Sequence, residues 1–209
     1  VAAYLGAYVV EAAPPGITHR AGTVDFAIAL RPGPLTATGV PEMGYGDVTD
    51  DAWTLPVGVD GLGEDRAVTL WTAGAGAARC LVVGASGTGK SSATVRLAAS
   101  ALEHNLDAYI YDPDSTSMRG LHSQCTIAAT TPREGLEMAR EVKDEVNRRN
   151  TILAMGEIPK PGIVVFEELQ NLLLSTDLDR KEKQELRDLI GYFSREIRKA
   201  GLVFVIAGQ

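Results

Sequence analysis

Long apolar runs are missing from this chain of 209 residues. The opening stretch Val1–Val10 is the best candidate and stops at Glu11, well short of the roughly 20 residues a membrane helix needs. It also lacks the basic start of a secretory signal. Cysteine is scarce: Cys80 and Cys125 are the two, with no Cys-x-x-Cys pair, which argues against zinc and redox motifs and fits a reducing, cytoplasmic location. An excess of basic charge is also lacking. The net charge is −7, and residues 1–66 hold nine acids against three bases, so this is not a polybasic protein that coats nucleic acid. A ring that threads a strand needs only a few basic groups on its inner loops, and net charge does not count those.

What is present is the balance of a globular core, 45% hydrophobic and 22% charged, with room for one ordinary domain and a small appendage. Residues 1–54 are expected to form an accessory strand and linker region. Residues 1–66 are rich in Gly, Pro and Asp, with one alternating strand at 23–30 and loop at 35–54. From Leu55 to Gln209 apolar runs alternate with helical stretches. Strands are expected at 79–83, 108–111, 162–166 and 202–207, and helices at 91–104, 131–155 and 178–200. The first of these strands reads as buried on both faces. Thr131-Pro132-Arg133-Glu134 carries a capping box with Pro in the first turn. The alternation predicts an α/β fold with a mostly parallel sheet flanked by helices. Because the first residue is Val and the last strand ends at the C-terminus, the chain is expected to be a piece of a longer protein, with further strands after Gln209.

Gly84-Ala85-Ser86-Gly87-Thr88-Gly89-Lys90-Ser91 fits G-x-x-x-x-G-K-[ST] at every position, between an expected strand and an expected helix. The glycines let successive N–H groups converge on one anion. The helix that Ser91 and Ser92 open adds its free N–H groups and dipole. Lys90 is expected on the β- and γ-phosphates of ATP and Ser91 on Mg²⁺. Such a loop needs a carboxylate beside the metal and a group to activate water. Glu167 and Glu168 follow the apolar run 162–166, at the edge where open α/β sheets bind ligands. Glu167 is assigned to the metal, through water, and Glu168 to the base, against the plainer reading of a solvated acidic turn.

These pieces together resemble the FtsK/SpoIIIE family of DNA-translocating ATPases, of the RecA-like P-loop class. The likeness runs from Leu55 to Gln209. It includes the lead-in Leu55–Asp60, the phosphate loop, Tyr111-Asp112-Pro113, Glu145-Val146-Asn147-Arg148-Arg149, Val164–Leu172 and Arg198–Gln209. The resemblance implies a hexameric ring, a homo-oligomer that hydrolyses ATP between subunits and draws double-stranded DNA through its centre, with a membrane anchor elsewhere in the full-length protein. It also implies an arginine finger at Arg198, otherwise a solvated charge near a helix C-terminus, and a γ-phosphate sensor at Gln209, otherwise a loop residue. Arg148 and Arg149 read as a solvated or interface face. Glu167 stands where the family usually has Asp, which puts metal placement and turnover in question. Arginine outnumbers lysine 14 to 6; with the divergent N-terminal part, this suggests a branch near actinobacterial conjugation proteins of the TraB type. A protein-export ATPase of the type VII kind and a nucleotide binder without efficient hydrolysis are the alternatives.

Overall fold

A computed structural model describes residues 7–9, 28–30, 44–59, 65–85, 88–115 and 117–208. Ser86, Gly87 and Gln209 lie outside them, as do residues 23–27 of the first expected strand. In chain order the strands and α-helices are β1 (Ala7–Val9), β2 (Ile28–Leu30), β3 (Asp47–Val48), β4 (Ala52–Val59), β5 (Asp65–Thr72), β6 (Gly76–Ala77), β7 (Arg79–Val83), α1 (Lys90–Glu103), β8 (Asp107–Tyr111), β9 (Ile127–Ala129), α2 (Pro132–Ala154), β10 (Gly162–Glu167), α3 (Leu169–Leu174), α4 (Arg180–Glu196) and β11 (Leu202–Gly208).

Five strands form a parallel sheet in the order β7-β11-β10-β8-β9. Side chains alternate across a strand, and here the alternation sorts them into two cores. Ala108, Ile110, Ile163, Val165, Val203 and Val205 join Leu97, Ala98 and Ala101 of α1 on one face. Tyr109, Tyr111, Val164, Phe166, Leu202 and Phe204 meet Leu136 and Val142 of α2 and Leu186 and Phe193 of α4 on the other. Every residue of β10 is buried. This is the mixed α/β architecture of a RecA-like P-loop core.

A smaller antiparallel sheet, β3-β4-β5-β6, packs on the α1 side. Trp53, Leu55, Leu70 and Trp71 enter the α1 core. The Trp53 indole donates to Ser100 Oγ at 3.0 Å, and Arg96 donates to the carbonyls of Gly44 and Pro56 at 2.6 and 3.3 Å. The reading of 35–54 as loop is therefore corrected at β3 and at the start of β4, a strand that crosses the line between residues 54 and 55. The polar run Thr49-Asp50-Asp51 hid both strands: β3 is two residues long, and β4 alternates only once its Trp and Leu are known to face a helix.

Three other expectations change. β7 is an edge strand of the described sheet, with Leu81 57% and Val83 53% exposed, so it is buried on one face only. The last helix ends at Glu196 and is followed by turns, until Gly201 with φ of 73° reverses the chain into β11. Arg149 is 2% exposed, not solvated. Its guanidinium donates to Glu145, to Asp107 at 2.7 Å and to the carbonyls of Lys160 and Ala200. It thereby ties the end of α2 to the amino-terminal edge of the sheet, where only Arg has the donors for four acceptors.

Candidate functional site

The carboxyl-terminal edge of the parallel sheet gathers most of the expected residues. β7 ends at Val83 and the chain turns through Gly84, where a Cβ would lie 2.5 Å from Thr88 Oγ1. Thr88 closes the turn by donating its hydroxyl to the Ala85 carbonyl at 2.8 Å. Gly89 takes φ of 94° as N-cap of α1, and no side chain caps the helix. Glycine adopts that conformation without the cost another residue bears. The first turn of α1 holds no acid, so its unpaired N–H groups and dipole face the loop unopposed. Lys90 is buried and its Nζ donates to the Ala85 carbonyl at 3.2 Å, placing the ammonium over the loop. Ser91 and Ser92 follow on the first turn. The free N–H groups at the uncapped start of α1, with the Lys90 ammonium beside them, suit an anion such as a phosphate.

Two strands away, β10 delivers Glu167 to the same edge. Glu167 is 5% exposed and accepts a hydrogen bond from the hydroxyl of Thr94, itself fully buried one turn into α1. The sequence reading missed Thr94; its position three residues past Ser91 was the available signal, since that spacing puts both on one face of the helix. Burial pushes the Glu167 carboxyl above its ordinary range, Thr94 draws it down, the charges of Asp112 and Glu168 push it up and Lys90 draws it down. Asp112, 2% exposed at the end of β8, accepts from the Met118 backbone N–H at 3.2 Å and lies 3.4 Å from His122 Nε2. Among the described residues no cluster of three or more His, Cys, Asp or Glu is set to hold a metal ion. Magnesium here would draw most of its ligands from phosphate and water, the usual pattern for this ion, and the Ser91 hydroxyl with one buried carboxylate suits it.

Glu168 leaves β10 in the left-handed region, φ 49°, as N-cap of α3. That conformation costs a non-glycine residue about 1–2 kcal/mol. The Gln170 amide donates to Glu168 Oε2. Neither α3 nor the role of Gln170 was legible from periodicity, because α3 has only six residues.

Arg198 does not join this group. It lies in the turn before β11, where its carbonyl accepts from the Ala77 N–H at 3.0 Å. β11 separates that turn from Gly208 by roughly 20 Å at a strand's rise of about 3.3 Å per residue, so Arg198 sits at the opposite edge of the sheet from Lys90. Within one subunit it cannot reach the phosphate loop. Burial raises both thiols, Cys80 and Cys125, to about 11, which leaves them protonated and unreactive at neutral pH.

No protein-family model matches the chain, and no curated protein matches it. Solved structures do. The pCW3 conjugation coupling protein TcpA, in a monomer form with ATPγS, aligns at a TM-score of 0.62 and 18% identity over 79% of this chain. The cytoplasmic domain of the type VII secretion ATPase EccC of Thermomonospora curvata aligns at 0.56 and 18% over 74%. EssC ATPases 2 and 3 of Geobacillus thermodenitrificans align at 0.57 and 16% over 82%. The chain spans 50%, 21% and 36% of those three chains. The chain therefore shares its fold with these three solved structures.

Proposed function

We propose that this chain binds MgATP and hydrolyses it as the motor core of a ring that moves double-stranded DNA. The observation that carries the reading is the single sheet edge at which Lys90, the Thr94–Glu167 pair and Glu168 meet beside an uncapped helix N-terminus. Backbone N–H groups from Gly84 to Gly89, with Ser86 and Gly87 between, hold the phosphates, and Ser91 and Ser92 extend the cradle along α1. Ser91 and Glu167 hold Mg²⁺, the latter through water. The ion supplies charge neutralisation at the phosphate oxygens. Lys90 spans the β- and γ-phosphates, and Glu168 takes the proton of the attacking water.

Arg198 lies too far from its own phosphate loop to serve it, so its role is in trans, as a finger offered to the next subunit of a homo-oligomeric, six-membered ring. In mixed rings, Arg198→Ala subunits should regain turnover beside subunits that keep the arginine. Gln209, next in sequence after Gly208, is assigned to sensing the γ-phosphate. No helix of the described residues is long and apolar enough to cross a membrane. We assign the domain to the cytoplasm on the resemblance, with any anchor elsewhere in the full-length protein. The likeness to a conjugation coupling protein supports DNA as cargo, and a TraB-like transfer branch is the finer form of that reading.

The likeness to a type VII secretion ATPase supports a second reading, protein export on the same engine. ATP turnover with and without double-stranded DNA separates the two, with Glu168→Gln as the blank. Stimulation that fades with salt, as phosphate contacts do, supports the DNA motor. Turnover indifferent to DNA supports export. MgATP binding without turnover would leave a nucleotide-gated binder, with Glu167 in place of Asp as the cause.

A further inference from the structure

The Glu168 side chain is held from a direction that a regular helix does not offer. Residues two apart on a helix do not face each other, yet the Gln170 amide donates to Glu168 Oε2. The contact exists because Glu168, at φ 49°, stands outside the helical conformation as the N-cap of α3.

The same amide lies on the tip of β11. A Cβ built on Gly208 would sit 2.5 Å from Gln170 Oε1 and 3.2 Å from its Cδ, so a side chain there would push the amide from its place. Gly208 is paired in turn with Val83 of β7, the residue immediately before the phosphate loop. One continuous path thus runs from the root of that loop, across the tip of β11, through a single side-chain amide, to Glu168.

We propose that Gln170 is a positioning residue: its amide fixes the Glu168 carboxylate and couples it to the tip of β11, so that the base is aimed only when β11 and the phosphate loop are in register. This rests on the reading of Glu168 as the base. A displacement of the loop or of β11 by bound nucleotide then reaches Glu168 without passing through Glu167 or the metal.

Two substitutions probe the path from its two ends. Gln170→Met keeps the reach and bulk of the side chain and lacks the N–H donor. Gly208→Ala puts a methyl group where the amide lies and leaves Gln170 intact. Misaiming a catalytic group by about 1 Å costs up to about a hundredfold, so each variant is expected to lower kcat roughly ten- to a hundredfold. Affinity for a fluorescent MgATP analogue should stay within about twofold, because the phosphate cradle is untouched. The double variant should lose no more than the worse single one, as residues acting through one contact are not additive. A readout independent of turnover is the side-chain amide NMR signal of Gln170, which should move in both Glu168→Gln and Gly208→Ala.

Gln170→Met with unaltered kcat overturns the proposal, and so does an amide signal indifferent to Glu168→Gln. A parallel loss of kcat, nucleotide affinity and melting temperature in Gln170→Met also overturns it, by showing a merely structural role. Should Gly208→Ala fail to fold, Gln170→Met and the amide signal carry the test. Glu168→Gln separates the two levels. If it turns over normally, the base reading fails and takes this proposal with it. If it is inactive while Gln170→Met is normal, only the coupling fails.

Discussion

Thr94→Val changes one hydroxyl to a methyl at a position that is fully buried. The hydroxyl has one proton and three acceptors within reach: the carbonyls of Lys90 and Ser91 at 3.3 and 3.0 Å, and the carboxylate of Glu167. The charged acceptor takes it. A hydrogen bond to a charged group contributes about 1.5–3 kcal/mol, and a buried acceptor left short bears its desolvation cost. Because Glu167 is itself 5% exposed, water does not replace the lost donor. Thr94→Val should therefore cost about 2 kcal/mol at neutral pH. For a domain of this size that lowers the melting temperature by about 4–8 °C, at roughly 2–4 °C per kcal/mol.

The pH dependence of that deficit has a definite sign. Burial, the largest cause, holds the Glu167 carboxyl above its ordinary range, so the folded state binds more protons than the unfolded one. Its contribution to stability is present below the ordinary carboxylate range and is lost as pH rises through the folded value. Where Glu167 is protonated, no charge is left short of a partner, so the Thr94→Val deficit should shrink on acidification from pH 7. Thermal melts at several pH values, with Thr94→Ser as the variant that keeps the donor, read it directly. A deficit equal at all pH values, or absent at pH 7, would refute the reasoning.

Other consequences follow from the same contacts. Arg149→Ala removes the donor shared by Glu145, Asp107 and two carbonyls and should cost about 3 kcal/mol in urea unfolding, at the low end for a buried pair because Asp107 is 45% exposed and can rehydrate. Arg149→Lys should not restore the loss, since an ammonium has three donors and no planar fork. Glu134, held below its ordinary range chiefly by the backbone N–H of Thr130 and then of Thr131, adds stability above the ordinary carboxylate value that is lost as pH falls through the folded one. Melts of Glu134→Gln should accordingly show a loss at pH 7 that shrinks as pH falls below the ordinary carboxylate range and vanishes only below the lowered folded value.

The parallel sheet was legible because β10 and β11 are continuous apolar runs, the pattern of strands buried on both faces. The turn from β7 into α1 was legible because the glycines and lysine of residues 84–91 have the fixed spacing of a strand-to-helix loop. The cap of α2 was legible too: Thr131 accepts from the Glu134 N–H at 3.3 Å, and Glu134 accepts from the Thr131 N–H at 2.9 Å. A second capping box, Asp179 with Glu182, carries the same signal and marks a start two residues later than the apolar pattern suggested. What stayed hidden depends on tertiary neighbours. Leu81 and Val83 read like core residues, and only strand order shows that β7 is an edge. Arg149 reads like a surface charge until Asp107 and the Lys160 and Ala200 carbonyls are brought to it from three other elements. Thr94 and Gln170 are ordinary helical residues in sequence, and their link to the two glutamates is made by the packing of α1 against β10 and by the left-handed turn at Glu168.

The central claim, a nucleotide site built on Lys90 and the N-terminus of α1, is tested most directly by calorimetric titration of MgATP into the protein and into Lys90→Ala. Saturable binding by the unaltered protein, with affinity largely lost in Lys90→Ala while the melting temperature holds, is the predicted result. Equal binding by both, or none by the unaltered protein, would contradict the claim.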